Sequence, residues 1–97
     1  MKKARFLRPA EIELLDAARY YEIQAPGLGI DFLDKIAAAV EDIRAHPKRW
    51  LVIQFNIRRR LIQRFPYCIL YRIDSDEIVI LAIMHLHRHP SYWIDRL

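Results

Sequence analysis

Residues 57–85 read IRRRLIQRFPYCILYRIDSDEIVILAIMH, and this stretch decides the fold. Its rhythm is alternation and short apolar runs, interrupted at Phe65-Pro66 and again at Asp74-Ser75-Asp76, residues that favour turns. Three strands are therefore predicted, from Ile57 to Arg64, Tyr67 to Ile73 and Glu77 to His85. Connections this short join antiparallel neighbours, so the three form a meander. In the middle strand Ile69, Tyr71 and Ile73 alternate with Cys68, Leu70 and Arg72. In the last, Val79, Leu81 and Ile83 alternate with Ile78, Ile80, Ala82 and Met84. Both faces are thus largely apolar, whereas a sheet covered by helices on one side alone normally shows polar residues on the other. A second polypeptide is expected to dress the second face; the alternative is that the chain's own tail and its 48–56 connector do so.

Upstream the spacing is helical. Residues 3–8 form a brief first strand ending at Pro9, which suits the first turn of a helix. Ile12, Leu15, Ala18 and Tyr21 or Glu22 then recur at helical intervals, with Glu11, Glu13 and Asp16 near the positive end of the helix dipole, giving a first helix over 9–24. Ala25-Pro26-Gly27-Leu28-Gly29 breaks it and holds both glycines of the protein. Asp31 fits an N-cap, and Phe32, Ile36, Val40 and Ile43 draw an apolar stripe along a second helix over 30–46, before Pro47. Downstream, Ser91 to Leu97 reads as a short helix or loose tail, with Tyr92-Trp93 an aromatic pair expected to pack back on the sheet. The fold class is α+β, in the order β-α-α-β-β-β. One domain over residues 1–97 is expected, its N-terminal strand and helical hairpin packed on one face of a small, mainly antiparallel sheet.

Ninety-seven residues suffice for one such core and not for two. No run approaches the roughly 18 apolar residues of a membrane span, and Met1-Lys2-Lys3 leads into no signal-like segment, so a cytoplasmic protein without membrane partners is expected. The single cysteine, Cys68, has no partner for an internal disulfide and reads as a small buried hydrophobe. The net charge of +4 is unevenly spread. Through residue 43 there are six Lys/Arg against eight Asp/Glu; from residue 44 there are ten against four. No acidic residue lies between Asp42 and Asp74, while Arg44, Lys48, Arg49, Arg58, Arg59, Arg60, Arg64 and Arg72 accumulate there. Such a block suits a polyanion or an acidic protein.

Strand alternation would place Arg58, Arg60 and Arg64 on one face. A row of guanidinium forks there can bind phosphates or carboxylates, or can simply guard an edge strand against aggregation. His85-x-His87-x-His89 has metal-ligand-like spacing only if the strand stays extended, and Pro90 argues that it ends; no metal is expected. His85 remains a proton shuttle or contact residue. There is no nucleophile elbow, no phosphate-binding glycine loop, no cysteine cluster and no carboxylate pair, so no cofactor is expected either.

The order of elements resembles the RelE/ParE toxin superfamily, and several stretches look like its ParE-like plasmid-stabilisation branch. The carrying residues are Arg58 through Tyr67, Ile69-Leu70-Tyr71-Arg72-Ile73, Glu77 through Ile83, and the ending His85-x-x-Arg88-x-Pro90-x-x-Trp93. The resemblance implies a toxin held in a hetero-oligomer by a cognate antitoxin that wraps its sheet and helices. It leaves two mechanisms open, beside a third possibility, a degenerate, non-toxic member retained as a binding module. ParE-like members inhibit DNA gyrase by binding; RelE-like members cut messenger RNA on the ribosome. Target and partner binding would fall to Arg58, Arg60, Arg64, Arg72, His85, Arg88, Tyr92 and Trp93. An endonuclease would use Arg60, Arg64, His85, Arg88 and Tyr92, with His85 as the base. RelE-like sites are lysine-rich, whereas the lysines here stand at 2, 3, 35 and 48, and arginine is too basic to act as a general base. Gyrase inhibition without chemistry is therefore the preferred expectation. His87 and His89 depart from the branch's usual tail.

Overall fold

The alternating stretch forms the centre of a five-stranded sheet. In the computed structural model, which describes residues 1–97, the strands are β1 (Lys3–Phe6), β2 (Val52–Gln54), β3 (Ile57–Leu61), β4 (Tyr67–Ile73) and β5 (Glu77–His85). They lie in the order β1-β5-β4-β3-β2. β2 to β5 form an antiparallel meander, and β1 runs parallel to β5, with Arg5 opposite Val79 and Phe6 opposite Ile80. The two central strands are the two with continuous apolar sequence, as burial on both sides requires.

Two strand expectations are corrected. The 48–56 connector contributes β2, making five strands rather than four. Its hairpin turns on Phe55 and Asn56, both in the left-handed region at φ 49° and 65°. This is a two-residue turn of the kind usually written Asn-Gly, and Phe55 gives no such signal. β3 also stops at Leu61 rather than Arg64. Arg64 sits at φ 72°, and the Ile62 N–H donates to the Tyr67 carbonyl, so the chain is already turning before Pro66.

The helices are α1 (Arg8–Gln24), with Pro9 in its first turn, and α2 (Leu28–Ala45). The expected α1 stripe holds at Ala18 and Tyr21 but not at Ile12 and Leu15. Ala10, Ala17 and Ala18 are buried, with Leu14 and Tyr21 packed beside them, while Ile12 and Leu15 are 44% and 51% exposed. Small residues at the contact let the helix lie close, and this face is weak in hydropathy and easily overlooked. The N-cap of α2 is Gly27, at φ 87°, rather than Asp31. The orphan N–H groups of Gly27 and Gly29 donate to the Glu22 carboxylate of α1 at 3.0–3.1 Å, so one helix caps the next.

The predicted α2 stripe does face the core. Phe32, Ile36 and Ile43 join Ile69, Tyr71, Ile78, Ile80 and Ile83 of the sheet. Phe32 and Phe65 pack edge to face at 5.2 Å between centroids, with Tyr21 4.8 Å from Phe65. The Tyr71 hydroxyl, deep in this layer, donates to the Pro47 carbonyl at 2.6 Å.

The opposite face of the sheet is not bare. Ile57, Cys68, Leu70, Val79, Leu81 and Ala82 are fully buried there around Trp93, itself fully buried, with Leu7, Tyr92 and Ile94 alongside. The tail ends in a short 3-10 helix, Ile94–Arg96. The expectation that a second polypeptide dresses this face is therefore overturned, and the chain's own tail seals it, while the connector extends the sheet edge instead. The expected packing of Tyr92-Trp93 onto the sheet is what achieves this. Burial pushes the Cys68 thiol up to about 12, only partly offset by Arg59. Cys68 is accordingly expected to be inert to a thiol-specific disulfide reagent at pH 8 and to react fully once denaturant opens the fold; prompt reaction of the native protein would contradict the sealed face.

Candidate functional site

Directly opposed residues on neighbouring strands share a face. Arg58 stands opposite Tyr71 and Arg60 opposite Ile69, so both arginines lie on the helix-covered side, while Arg59 and Leu61 belong to the other. Neither Arg58 nor Arg60 is free. The Arg58 Nη1 donates to the carbonyls of Lys48 and Trp50 at 3.2 and 2.7 Å, tying the connector to β3. The Arg60 Nη2 donates to Asp42 of α2 at 2.7 Å, and its guanidinium stands 5.0 Å over the Trp50 ring. Arg64, carried off the strand by the turn, pairs loosely with Asp31 at 3.8 Å. The expected row of three guanidiniums is thus broken: two brace α2 and the connector, and the third lies on a loop. Arg72 stands opposite Val79 on the tail-covered side, paired with Asp74 at 3.0 Å.

A second group assembles on the α1 side, where β5 gives way to the tail. His85, Arg88 and Tyr92 line a cleft of about 350 Å³ with Tyr67 and with Glu13, Asp16 and Tyr20 of α1. The His85 ring lies 5.0 Å from Tyr67, and the exposed Arg88 guanidinium sits 4.1 Å over the Tyr92 ring. The Tyr92 hydroxyl donates to Glu13 at 2.6 Å. Burial first, then that bond, raise its pKa well above the ordinary tyrosine value, so it stays protonated and committed as a donor. Trp93 belongs to the opposite face, where it is fully buried.

β5 ends at His85, and the chain turns through Leu86 to Arg88. The His85 Nδ1 accepts from the His87 N–H at 3.0 Å, and the His89 Nδ1 from the Ser91 N–H at 3.2 Å. These bonds tie the His85 and His89 rings into local turns, the His87 ring stands 4.9 Å from that of His85, and no group of three His, Cys, Asp or Glu side chains is placed to hold a metal ion.

Two contributors escaped the sequence reading. Glu13 accepts from Tyr92 and, in a two-pronged pair, from Arg96 Nη1 and Nη2 at 2.8 and 2.9 Å. Arg96 closes the C-terminal turn. Separated by 83 positions, the two are linked by no periodicity. A correct phase for α1 would have placed Glu13 beside Ala10, Leu14 and Ala17, flagging a carboxylate at the core's margin.

Chemically, the cleft offers an imidazole, His85, one exposed guanidinium, Arg88, and two carboxylates, of which Glu13 is committed to Tyr92 and Arg96 and Asp16 is exposed. The arginines that an endonuclease would add lie elsewhere, Arg60 against α2 and Arg64 on the β3–β4 turn.

No helix is long and apolar enough to cross a membrane. No curated protein sequence matches the chain. The chain is similar in structure to the chromosomal ParDE toxin–antitoxin system from P. aeruginosa, with a TM-score of 0.77 at 20% identity over 88% of this chain and 96% of that one. That likeness is one of fold. Residues 4–90 match the family described as ParE toxin of type II toxin–antitoxin system, parDE. The match spans the sheet, the helical hairpin and the cleft-lining His85 and Arg88, and by it the chain belongs to the ParE toxin family of type II toxin–antitoxin systems.

Proposed function

We propose that this toxin inhibits growth by binding DNA gyrase, without chemistry of its own, and that a cognate antitoxin neutralises it in the cytoplasm. The observation that carries the binding mode is the dispersal of the polar groups. Cleavage of RNA needs a base, a proton donor and cations for the phosphate within one site. Here Arg60 is bound to Asp42 of α2 and Arg64 is paired with Asp31, neither lines the cleft that His85 lines, and Tyr92 is engaged by Glu13. The exposed Arg88 stacked on Tyr92, with His85 beside it, suits a contact surface that accepts carboxylate or phosphate from the target. The gyrase assignment follows the ParE resemblance.

The antitoxin's place is also revised, because the tail occupies the sheet face first assigned to it. Apolar side chains are instead exposed at the β2–β3 hairpin, where Leu51, Val52 and Phe55 stand 80%, 50% and 61% exposed beside Arg49 and Arg59, and on the outer side of α1 at Ile12, Leu15 and Ile23. An acidic, partly apolar segment would complement the hairpin in both respects.

Induced expression followed simultaneously for DNA integrity and messenger-RNA integrity tests the reading. Gyrase-dependent DNA breaks with intact messenger RNA are expected. Rapid cleavage of translated messages with unaffected gyrase would overturn it in favour of an endonuclease.

A further inference from the structure

β1 pairs with β5 only as far as Ile80, after which the Leu7 N–H closes the ladder on the Ile80 carbonyl and the chain turns away into α1. β5 continues to His85, so its outer edge runs on beside nothing but α1 and the tail. An unpaired strand edge needs partners for its main-chain groups. Two side chains from opposite ends of the sequence supply them. The Glu13 Oε1 accepts from the Ile83 N–H at 3.1 Å, and Arg96 Nη1 donates to the Leu81 carbonyl at 3.0 Å. The same two residues bind one another through both prongs, and Glu13 takes the Tyr92 hydroxyl as well. Glu13 therefore accepts four hydrogen bonds: one from β5 and three from the tail. At 17% and 16% side-chain exposure the pair is largely shielded from solvent, unlike the other acidic–basic pairs that join separate elements. Arg96 also lies 4.9 Å over the Tyr92 ring, whose other cation is Arg88 at 4.1 Å.

We infer that Glu13 is the positioning residue of the toxin: by binding Tyr92, Arg96 and the open edge of β5 together, it fixes the tail so that Arg88 is held on Tyr92 facing outward beside His85. This rests on the reading that the cleft surface meets the target. Glu13 does not itself meet the target, since its carboxylate is spent on internal donors. Its effect passes through the tail. Without it, Tyr92 and Arg96 lose their shared acceptor, the segment keeps only the packing of Trp93 and Ile94 and the Arg96–Leu81 bond, and the Arg88–Tyr92 stack is no longer oriented.

The test compares the full chain with Glu13→Gln, Arg96→Gln and the double variant. Glutamine is nearly isosteric but offers one acceptor where two prongs and a hydroxyl arrive, and turns a donor toward Arg96. Three readouts are taken: the inducer level that halves growth, the thermal unfolding midpoint, and the rate at which a carboxypeptidase trims the C-terminus of the purified protein. Each single variant is expected to need about tenfold more inducer, as the loss of a charge-assisted contact implies, while the midpoint still reports a folded domain. Trimming should accelerate, and the double variant should be no weaker than either single one, because the residues act as one unit. Full toxicity of Glu13→Gln, trimming unchanged from wild type, or losses that simply add would overturn the inference. If Glu13→Gln fails to fold, Tyr92→Phe, which removes one bond to Glu13 and keeps the ring under Arg88, decides the matter in its place: faster trimming with weakened toxicity supports the latch, and wild-type behaviour removes it. A wild-type chain that does not inhibit growth sinks the proposed function and the toxin role of Glu13 together. A wild type that inhibits growth with intact DNA and cut messenger RNA sinks the gyrase reading alone, and the growth and trimming comparisons still judge Glu13.

Discussion

Trp93→Ala is expected to lower the free energy of unfolding by about 3–5 kcal/mol, the range for truncating a buried tryptophan. Domains of this size are stable by only about 5–15 kcal/mol, so the variant would be close to unfolded at growth temperature. The size of the effect follows from what Trp93 covers. Its side chain, wholly buried, lies over Cys68, Leu70, Val79, Leu81 and Met84, and its indole N–H donates to the Pro90 carbonyl at 2.6 Å. Removing it leaves a cavity over β4 and β5 and exposes apolar side chains that Leu7, Tyr92 and Ile94 do not cover by themselves. Trp93→Phe keeps most of the contact area and loses the hydrogen bond, and should cost distinctly less. Urea unfolding followed by circular dichroism checks both. A Trp93→Ala protein within about 1 kcal/mol of wild type would mean that the tail does not stabilise the second face.

The same residue shows where the sequence was legible. Apolar alternation on both faces of β4 and β5 required two covering layers, and that much was readable from Tyr67 to His85. Which polypeptide supplies the second layer was not, because one tryptophan in a seven-residue tail carries no periodicity. Its fit depends on where β5 ends and how the chain turns at Pro90. The α2 stripe was legible because Phe32, Ile36 and Ile43 are large. The α1 face was read only in part: Ala18 and Tyr21 do face the core, but Ala10 and Ala17 are small, and larger Ile12 and Leu15 outweigh them in any hydropathy count while pointing to solvent. β2 was hidden by a hairpin turning on Phe55. The arginine row failed for a plainer reason, since alternation extrapolated past Leu61 does not survive the turn at Arg64. Of the candidate site, His85, Arg88 and Tyr92 were legible and do converge. Glu13 and Arg96 were not, because their pairing exists only once α1, β5 and the tail have been assembled.

Gly29→Ala presents a case where local propensity and packing predict opposite signs. Inside a helix, alanine is more favourable than glycine by about 1 kcal/mol, so α2 considered alone would gain stability. Gly29, however, is buried where α2 crosses α1. A Cβ there would stand 2.5 Å from the Ala18 carbonyl oxygen and 3.0 Å from the Glu22 Cβ. The first of these is helix backbone and cannot swing aside, so the helices must separate. Separation loosens the packing of Ala17 and Ala18, whose small side chains exist to permit the close approach, and it pulls the Gly27 and Gly29 N–H groups off the Glu22 carboxylate that caps α2. The net cost is expected to be about 1–3 kcal/mol for alanine and larger for Gly29→Val. Gly27→Ala isolates the alternative cause. Nothing lies within 4 Å of a Cβ at that position, but φ is +87°, so its penalty is one of backbone conformation and should be eased by Gly27→Asn, whereas no polar side chain relieves Gly29. Chemical denaturation of the four variants separates the two. If Gly29→Ala raised the unfolding midpoint, helix propensity would outweigh the crossing, and the contact between α1 and α2 at Ala18 would have to be looser than 2.5 Å implies.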